Sequence, residues 1–525
     1  MVGVPGRSKG CITCRKRKKG CDKQEPSCLR CSRAGLACEG YGKDLIWLHT
    51  GAAGSSEQSS TSPSQLQQAS ADRPWFVRYE RKKESNERIA LSDNLVRSAR
   101  EQLYLGFFWD VMTPSGRDAS LDSLDLPAIG WIKVIPTFYN SEIAVRYVAI
   151  ATAASMLGQS RKDAQLYSKG FQVYNWSIRE MVKAIRQPER AKSDGLLVAA
   201  RLMALYEILF GPGVKFEHSG WKGHIDGQVA LLLARGSESC KTGIGHQLFV
   251  DIRTTTALVS IKKRWPSPFS SPEWKTIPWA VKEKSMHMKL MDTIEEVADL
   301  LVQIDTIHAS PSDYAKKLQV QLLTRCLDAE ASLSDWKSQI DLSTYDYTIA
   351  ELPLPLPTTN ADFSLLGMSC FYWATCLLLY SVSAFASKLD GWSTTPSSVS
   401  KADTTTYPFL GAEDISSSES ESDWDVMYNG LTIYVKKIAH CIHLFFAPSS
   451  RVIHSGASLF PMSVALHFLE ATEASSNPSE ETKILRNIFQ HSFMGRTFNR
   501  HRQADKQPII KEAGDVRPRY KYLWV

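Results

Sequence analysis

Six of the chain's eleven cysteines stand between positions 11 and 38, at Cys11, Cys14, Cys21, Cys28, Cys31 and Cys38. They spell C-x2-C-x6-C-x6-C-x2-C-x6-C, so the unit C-x2-C-x6-C occurs twice with an offset of seventeen residues. Thiols this close together form either a disulfide knot or a metal site. The first ten residues are polar and basic, without the apolar run of a secretory leader, which predicts a reducing compartment where disulfides are rare. A C-x2-C pair also sets two thiolates on one turn, close enough to share a tetrahedral zinc ion.

Ligand counting extends this reading. A closed structural zinc site takes four donors, and each three-cysteine half supplies three, so neither half completes a site alone. Two zinc ions need eight donor positions from six sulfurs, and two bridging thiolates make up the shortfall. Six thiolates against two dications leave a net charge of about −2. The run Arg15-Lys16-Arg17-Lys18-Lys19 supplies a cationic cover for such a cluster.

Residues 11–38 resemble the fungal binuclear zinc cluster DNA-binding domain, whose pattern runs C-x2-C-R-x-R-K-x-K/R-C-D, then a loop with a proline, C-x2-C and a last cysteine. Cys11-Ile-Thr-Cys14-Arg15-Lys16-Arg17-Lys18-Lys19-Gly20-Cys21-Asp22 follows it, and Pro26 falls in the loop. The resemblance implies two zinc ions held by Cys11, Cys14, Cys21, Cys28, Cys31 and Cys38, with Cys11 and Cys28 as the bridges. It also implies that Lys18 and Arg17 read bases of a CGG-like triplet in the major groove of double-stranded DNA. Gly20 departs from the pattern, because many members carry a phosphate-touching basic residue there.

The charge distribution agrees with a nucleic-acid partner. Residues 1–43 hold eleven Lys and Arg against three acids, a net +8 out of +7 for the whole chain, so the other 482 residues sum to −1. The first half of the repeat carries the basic run, while the second has only Arg30 and Arg33, so the first half is expected to face DNA. Arg15 and Lys23 are the candidate phosphate contacts, which set register and affinity without reading sequence.

The elements that present this finger follow in order. Residues 1–48 are read as the zinc-cluster domain. Residues 49–90 are read as a flexible linker, because Thr50 to Ala71 is rich in Ser, Gln, Ala and Gly with almost no apolar bulk. No heptad pattern marks a coiled coil there. A second basic group, Arg78, Arg81, Lys82 and Lys83, reads as a solvated lead-in to the next domain. From 91 to 525 the expectation is a large all-α domain, so the fold class is a small zinc-organised finger with two short helices plus an all-helical unit.

Apolar residues Leu95, Ala99, Leu103, Phe107 and Val111 repeat at helical spacing before Pro114. Further helical periodicity covers roughly 142–158, 163–186, 195–210, 221–235, 246–263, 281–307, 312–339, 363–387, 426–446, 460–474 and 479–499. This half resembles the fungal-specific transcription factor domain through Tyr104-Leu-Gly-Phe-Phe-Trp109, Gly220-Trp-Lys-Gly-His224-Ile-Asp-Gly227 and Phe460-Pro-Met-Ser-Val-Ala-Leu466. Residues 363–387 carry no charge and are long enough to span a bilayer, but their serines and the lack of flanking basic clusters favour a buried helix and no membrane.

The acidic stretch 411–425 surrounds Ile415 and Trp424 with six carboxylates. Such segments resemble those that fold onto coactivators, while a solvated loop is the plainer reading. No H-E-x-x-H, G-x-S-x-G, Walker loop or dinucleotide fingerprint is present, so no enzyme is expected. The competing reading is a helical domain with small-molecule enzymatic activity that the finger targets to DNA. His440, Cys441 and His443 form the tightest cluster outside the finger, yet two histidines do not close a zinc site. Cys240, Cys326, Cys370, Cys376 and Cys441 read as buried free thiols. These observations and resemblances predict a nuclear, sequence-specific transcription factor for RNA polymerase II genes, including those of metabolic or secondary-metabolite clusters. Three base pairs recur about once in 64 positions, so a homodimer, a heterodimer or flanking contacts must add specificity.

Overall fold

Helix boundaries in the computed structural model follow local capping chemistry. The structure describes residues 11–17, 19–24, 28–38, 93–113, 130–212, 219–387, 423–447, 449–473, 477–491, 494–497 and 499–500. The chain divides into two units, Met1–Arg73 and Pro74–Val525. In the first unit lie two short helices, α1 (Ile12–Lys16) and α2 (Leu29–Arg33). The linker residues 49–90, Pro114 and residues 411–422 of the acidic stretch lie outside the described residues.

The second unit opens with α3 (Asp93–Met112), a 3-10 turn at Gly130–Val134, α4 (Ile135–Tyr139), α5 (Ile143–Arg161) and α6 (Ala164–Ile185). Next come α7 (Pro188–Ala191), α8 (Asp194–Phe210), α9 (Gly220–Arg235), α10 (Gly243–Lys263) and α11 (Pro272–Thr276). The long pair α12 (Met286–Ala309) and α13 (Ser312–Ser338) precedes the core helix α14 (Asn360–Ser387). The last elements are α15 (Asp423–Cys441), α16 (Val452–Ala457), α17 (Leu459–Thr472) and α18 (Glu480–His491). No strand occurs among the described residues.

Several starts carry an acceptor where the first turn leaves N–H groups unpaired. Asp163 accepts from Leu166 N at 2.9 Å, Ser193 from Leu196 N at 3.3 Å and Ser285 from Met288 N at 3.3 Å. Lys162 closes α5 in the left-handed region at φ 56°, so α5 and α6 meet across only Lys162 and Asp163. That tight turn forces the two helices together, and small residues make room. A Cβ on Gly170 would stand 2.2 Å from Ser155 Oγ and 2.9 Å from its backbone nitrogen.

Most expected helices match these elements, but α12 begins at Met286, after its Ser285 cap, where 281 was expected, and α18 ends at His491 within the expected 479–499. Residues 460–474 begin earlier, because α16 precedes α17 with Ser458 between them. The stretch 426–446 ends as a 3-10 turn at Ile442–Phe446. Short elements at 130–139, 188–191 and 272–276 were too brief to show a period.

The main core runs through α3, α5, α8, α10, α12, α14, α15 and α17. α14 packs against α12, α13, α15 and α17. Among the described residues two stretches are long and apolar enough to cross a membrane, Asn360–Ala384 and Val452–Thr472, and 78% and 72% of their apolar windows are buried inside this unit. Arg253 on α10 and Glu295 on α12 are both fully buried and paired through Nε at 3.1 Å and Nη2 at 2.6 Å.

Glu295→Gln should leave the buried guanidinium with Asp292, 2.5 Å from Arg253 Nη2, as its remaining counter-charge and lower stability by about 1–3 kcal/mol. Gly170→Ala should cost about 1–3 kcal/mol through overpacking against α5. Chemical denaturation of the full chain followed by helical circular dichroism checks both, and unchanged midpoints would contradict them.

Candidate metal centre and nucleic-acid interface

The repeat read from the sequence is repeated in hydrogen bonds. Cys11 Sγ accepts from Cys14 N at 3.3 Å, and Cys28 Sγ accepts from Cys31 N at 3.3 Å. Cys21 Sγ accepts from Cys11 N at 3.3 Å, and Cys38 Sγ accepts from Cys28 N at 3.5 Å. Each half therefore uses its short helix to point backbone N–H groups at sulfur, which favours the thiolate form.

The sulfurs converge. Cys11 and Cys28 are 3.6 Å apart, Cys14 and Cys28 3.6 Å, Cys11 and Cys31 3.7 Å, and Cys14 and Cys31 3.8 Å. A tetrahedral zinc with Zn–S bonds near 2.3 Å spaces its sulfurs about 3.8 Å apart. Two quartets have all their sulfurs within 4.8 Å of one another, Cys11-Cys14-Cys21-Cys28 and Cys11-Cys28-Cys31-Cys38. They share Cys11 and Cys28, so the donor set fits two metal ions with two bridges.

Cys11, Cys14, Cys28 and Cys31 are buried, with Cys21 and Cys38 half-buried around them. Burial and the adjacent sulfurs push the Cys11, Cys14 and Cys31 thiols up to about 12. Only a strong positive charge in their midst holds them as thiolates at neutral pH.

Around this centre Lys16, Arg17, Lys19 and Lys23 are exposed. Arg15 lies on α1, and its side chain, like Lys18 and Pro26, is outside the described residues. Lys23 adopts φ 62°, and its N–H approaches Cys21 Sγ at 3.5 Å. Arg30 has a structural use: its N–H donates to Asp22 Oδ2 at 2.8 Å and its Nη1 to Gly20 O at 2.8 Å. A Cβ on Gly20 would lie 3.1 Å from that Nη1, so Arg30 sets a guanidinium beside the position where the resemblance leads one to expect a cation. The sequence reading missed this Asp22-Arg30-Gly20 tie, and the acid next to Cys21 was its only signal.

In the helical unit the motif around Gly220 is structural. The Tyr174 hydroxyl donates to Glu207 Oε1 at 2.7 Å and lies 2.9 Å from His224 Nε2, which is left as the donor. Burial lowers His224 to about 4, so it stays neutral. A Cβ on Gly220 would reach 2.5 Å from the Glu207 carboxyl carbon, which explains the glycine. His440 and His443 are exposed, with His440 stacked on Tyr347 at 4.2 Å, whereas Cys441 turns inward to 3.3 Å from Cys370 Sγ. The three do not converge. Cys240, Cys326, Cys370, Cys376 and Cys441 are all buried and free.

Finger and helical unit together define a zinc-cluster transcription regulator. The fungal Zn(2)-Cys(6) binuclear cluster domain matches residues 9–46, and the fungal specific transcription factor domain matches residues 104–402, more than half of the chain. The chain belongs to this family of fungal transcription factors. Its N-terminal domain is one that binds two zinc ions, and regulators of this kind bind DNA.

Similarity to curated relatives is local. It reaches 46% identity over 48 residues with the pestheic acid cluster transcriptional regulator 3 of Pestalotiopsis fici, and 54% over 39 residues with the aspercryptin biosynthesis cluster-specific transcription regulator atnN of Emericella nidulans. The transcriptional regulatory protein moc3 of Schizosaccharomyces pombe is 38% identical over 65 residues. These alignments span 9%, 7% and 12% of this chain and 8%, 6% and 11% of the relatives. No solved structure matches the chain.

Chelating the zinc should unfold residues 11–38, because five-residue helices cannot stand alone and the finger's buried core consists of cysteines. The helical unit has its own apolar core and should keep its far-ultraviolet circular dichroism. Concerted loss of both signals would contradict this separation.

Proposed function

We propose that this protein is a nuclear, sequence-specific regulator of RNA polymerase II genes whose finger reads a CGG-like triplet in the major groove. The observation that carries the reading is the pair of sulfur quartets sharing Cys11 and Cys28, with the exposed cations Lys16, Arg17 and Lys19 beside them. In this reading Cys14 and Cys21 complete one zinc site, Cys31 and Cys38 complete the other, and Cys11 and Cys28 bridge the two. Lys18 and Arg17 donate to guanine O6 and N7, and Arg15 and Lys23 contact phosphate.

The metal supplies charge neutralisation and a rigid frame. The chain's own part is to aim α1, which follows Cys11 directly, so that the basic run at its C-terminal end is held against the cluster. Residues 1–48 act as the DNA-binding domain, 49–90 as a linker and 91–525 as the regulatory domain. Two of the three curated relatives are named for biosynthetic clusters, which supports control of such a cluster by this chain as well. Target choice then rests on a second finger, from a homodimer or a heterodimer, because one triplet is too common to specify a gene. The acidic stretch 411–425 serves as the contact for a coactivator.

Lys18→Ala should abolish triplet preference, a loss of about 1–3 kcal/mol, and leave weak salt-sensitive binding. Selection of sites from random DNA with the full-length variant tests this, and an unchanged consensus would refute the assignment. Cys28→Ala should lower the zinc content below two per chain more severely than Cys38→Ala, because a bridge serves both ions. Elemental analysis of the two purified variants decides, and equal loss would remove the bridging role.

A further inference from the structure

Helix α6 is apolar over more of its circumference than its core contacts use. At about 3.6 residues per turn, Gly170, Val173, Tyr174, Ser177 and Ala184 fall on one side, and all five are buried where α6 packs on α5 and α8. Tyr167, Phe171, Ile178, Val182 and Ile185 fall in the adjoining sector, about 60° wide. Together the two sectors span about 180°, whereas a helix that only covers a core needs a stripe of roughly 100°. Trp176 stands on the far side, tilted against Tyr147 at 6.1 Å, and belongs to neither.

The second sector is open. Phe171 is 55% exposed, Ile185 48%, Val182 46% and Tyr167 36%, with Ile178 half-buried at the middle. The sector runs about 27 Å along the helix, with aromatic rings in its N-terminal half and aliphatic side chains in its C-terminal half. Its polar edge divides the same way. Ser168 and Gln172 border the aromatic half, Arg179 and Arg186 border the aliphatic half, and all four are exposed.

We propose that this face is the contact between two copies of the chain, with their α6 helices antiparallel about a two-fold axis near position 176. In that register Tyr167 of one copy meets Ile185 of the other, Phe171 meets Val182, and each pair occurs twice. Arg179 and Arg186 then lie beside Gln172 and Ser168 of the other copy. A parallel pair would instead set each arginine against itself, where like charges repel. The four exposed side chains offer about 350 Å² per copy, most of the roughly 450 Å² of non-polar area that one side of a standard interface contains. Half-buried Phe210, 6.0 Å from the Tyr167 ring, extends the patch. The inference rests on the reading in which a second finger completes target choice, and it makes a homodimer the source of that finger.

Sedimentation velocity of the full-length protein over micromolar concentrations, without DNA, tests the contact. The wild-type chain should form dimers, and Phe171→Lys or Val182→Glu alone should raise the dimer dissociation constant by about tenfold or more. Mixing the two variants should recover the dimer, because the antiparallel register brings the two introduced charges together, and recovery also shows that both variants fold. Trp176→Ser, on the far side of the same helix, should leave self-association unchanged. A monomeric wild-type chain, which would leave the face to a different protein or to another part of this chain, overturns the proposal. So does a dimer that neither variant weakens, or a mixture of the two variants that stays monomeric. Selection of sites from random DNA reads the finger separately. A triplet consensus from a monomeric chain would sink the α6 contact alone, and dimers without a consensus would sink the DNA reading alone.

Discussion

Gathering six sulfurs into one small volume is the constraint on which the N-terminal unit depends. Burial drives the Cys11, Cys14 and Cys31 thiols up to about 12, so their thiolate forms persist only around dications. The metal therefore takes the place of a hydrophobic core, which so short a segment cannot build from two five-residue helices. The residual negative charge of the cluster and the cations outside it then belong together. Lys16, Arg17 and Lys19 stay exposed close to one another beside that anionic centre.

The helical unit solves a different problem, that of packing many helices around apolar residues while capping helix starts and pairing buried charges such as Arg253. Its α5–α6 hairpin does so with small residues at the contact, and its starts with Asp and Ser caps. The buried Arg253 is a costly element, because its charge keeps its place in the core through the Glu295 and Asp292 carboxylates together. The Tyr174, Glu207 and His224 cluster is a smaller version of the same logic. Burial holds His224 neutral and raises Glu207, and the tyrosine hydroxyl links them. These three polar groups thus act as internal fastening.

Much of this was legible beforehand. Long helices with a 3.6-residue period, such as 163–186 and 312–339, coincide with α6 and α13 within a residue or two. The cysteine frame was legible because metal ligation demands exact spacing. Short elements were not, since Pro188–Ala191 and Pro272–Thr276 are shorter than two helical turns and carry no period. The tie from Arg30 to Asp22 and Gly20 was also hidden. In the sequence Arg30 reads as one more cation, and only the turn of the chain brings its guanidinium to a carbonyl ten residues earlier.

The amino-acid sequence by itself determined the metal chemistry, the location of the net positive charge and the all-helical character, because each depends on residue types at short, fixed separations. Tertiary structure brought Cys11 and Cys28 into both sulfur quartets, left Lys16, Arg17 and Lys19 outside and made Arg30 a fastening. It also decided that the charge-free stretch 363–387 of α14 lies in a protein core. Those outcomes depend on groups distant in sequence meeting in space, as Cys11 meets Cys28 and Cys370 meets Cys441, and no local pattern encodes such a meeting.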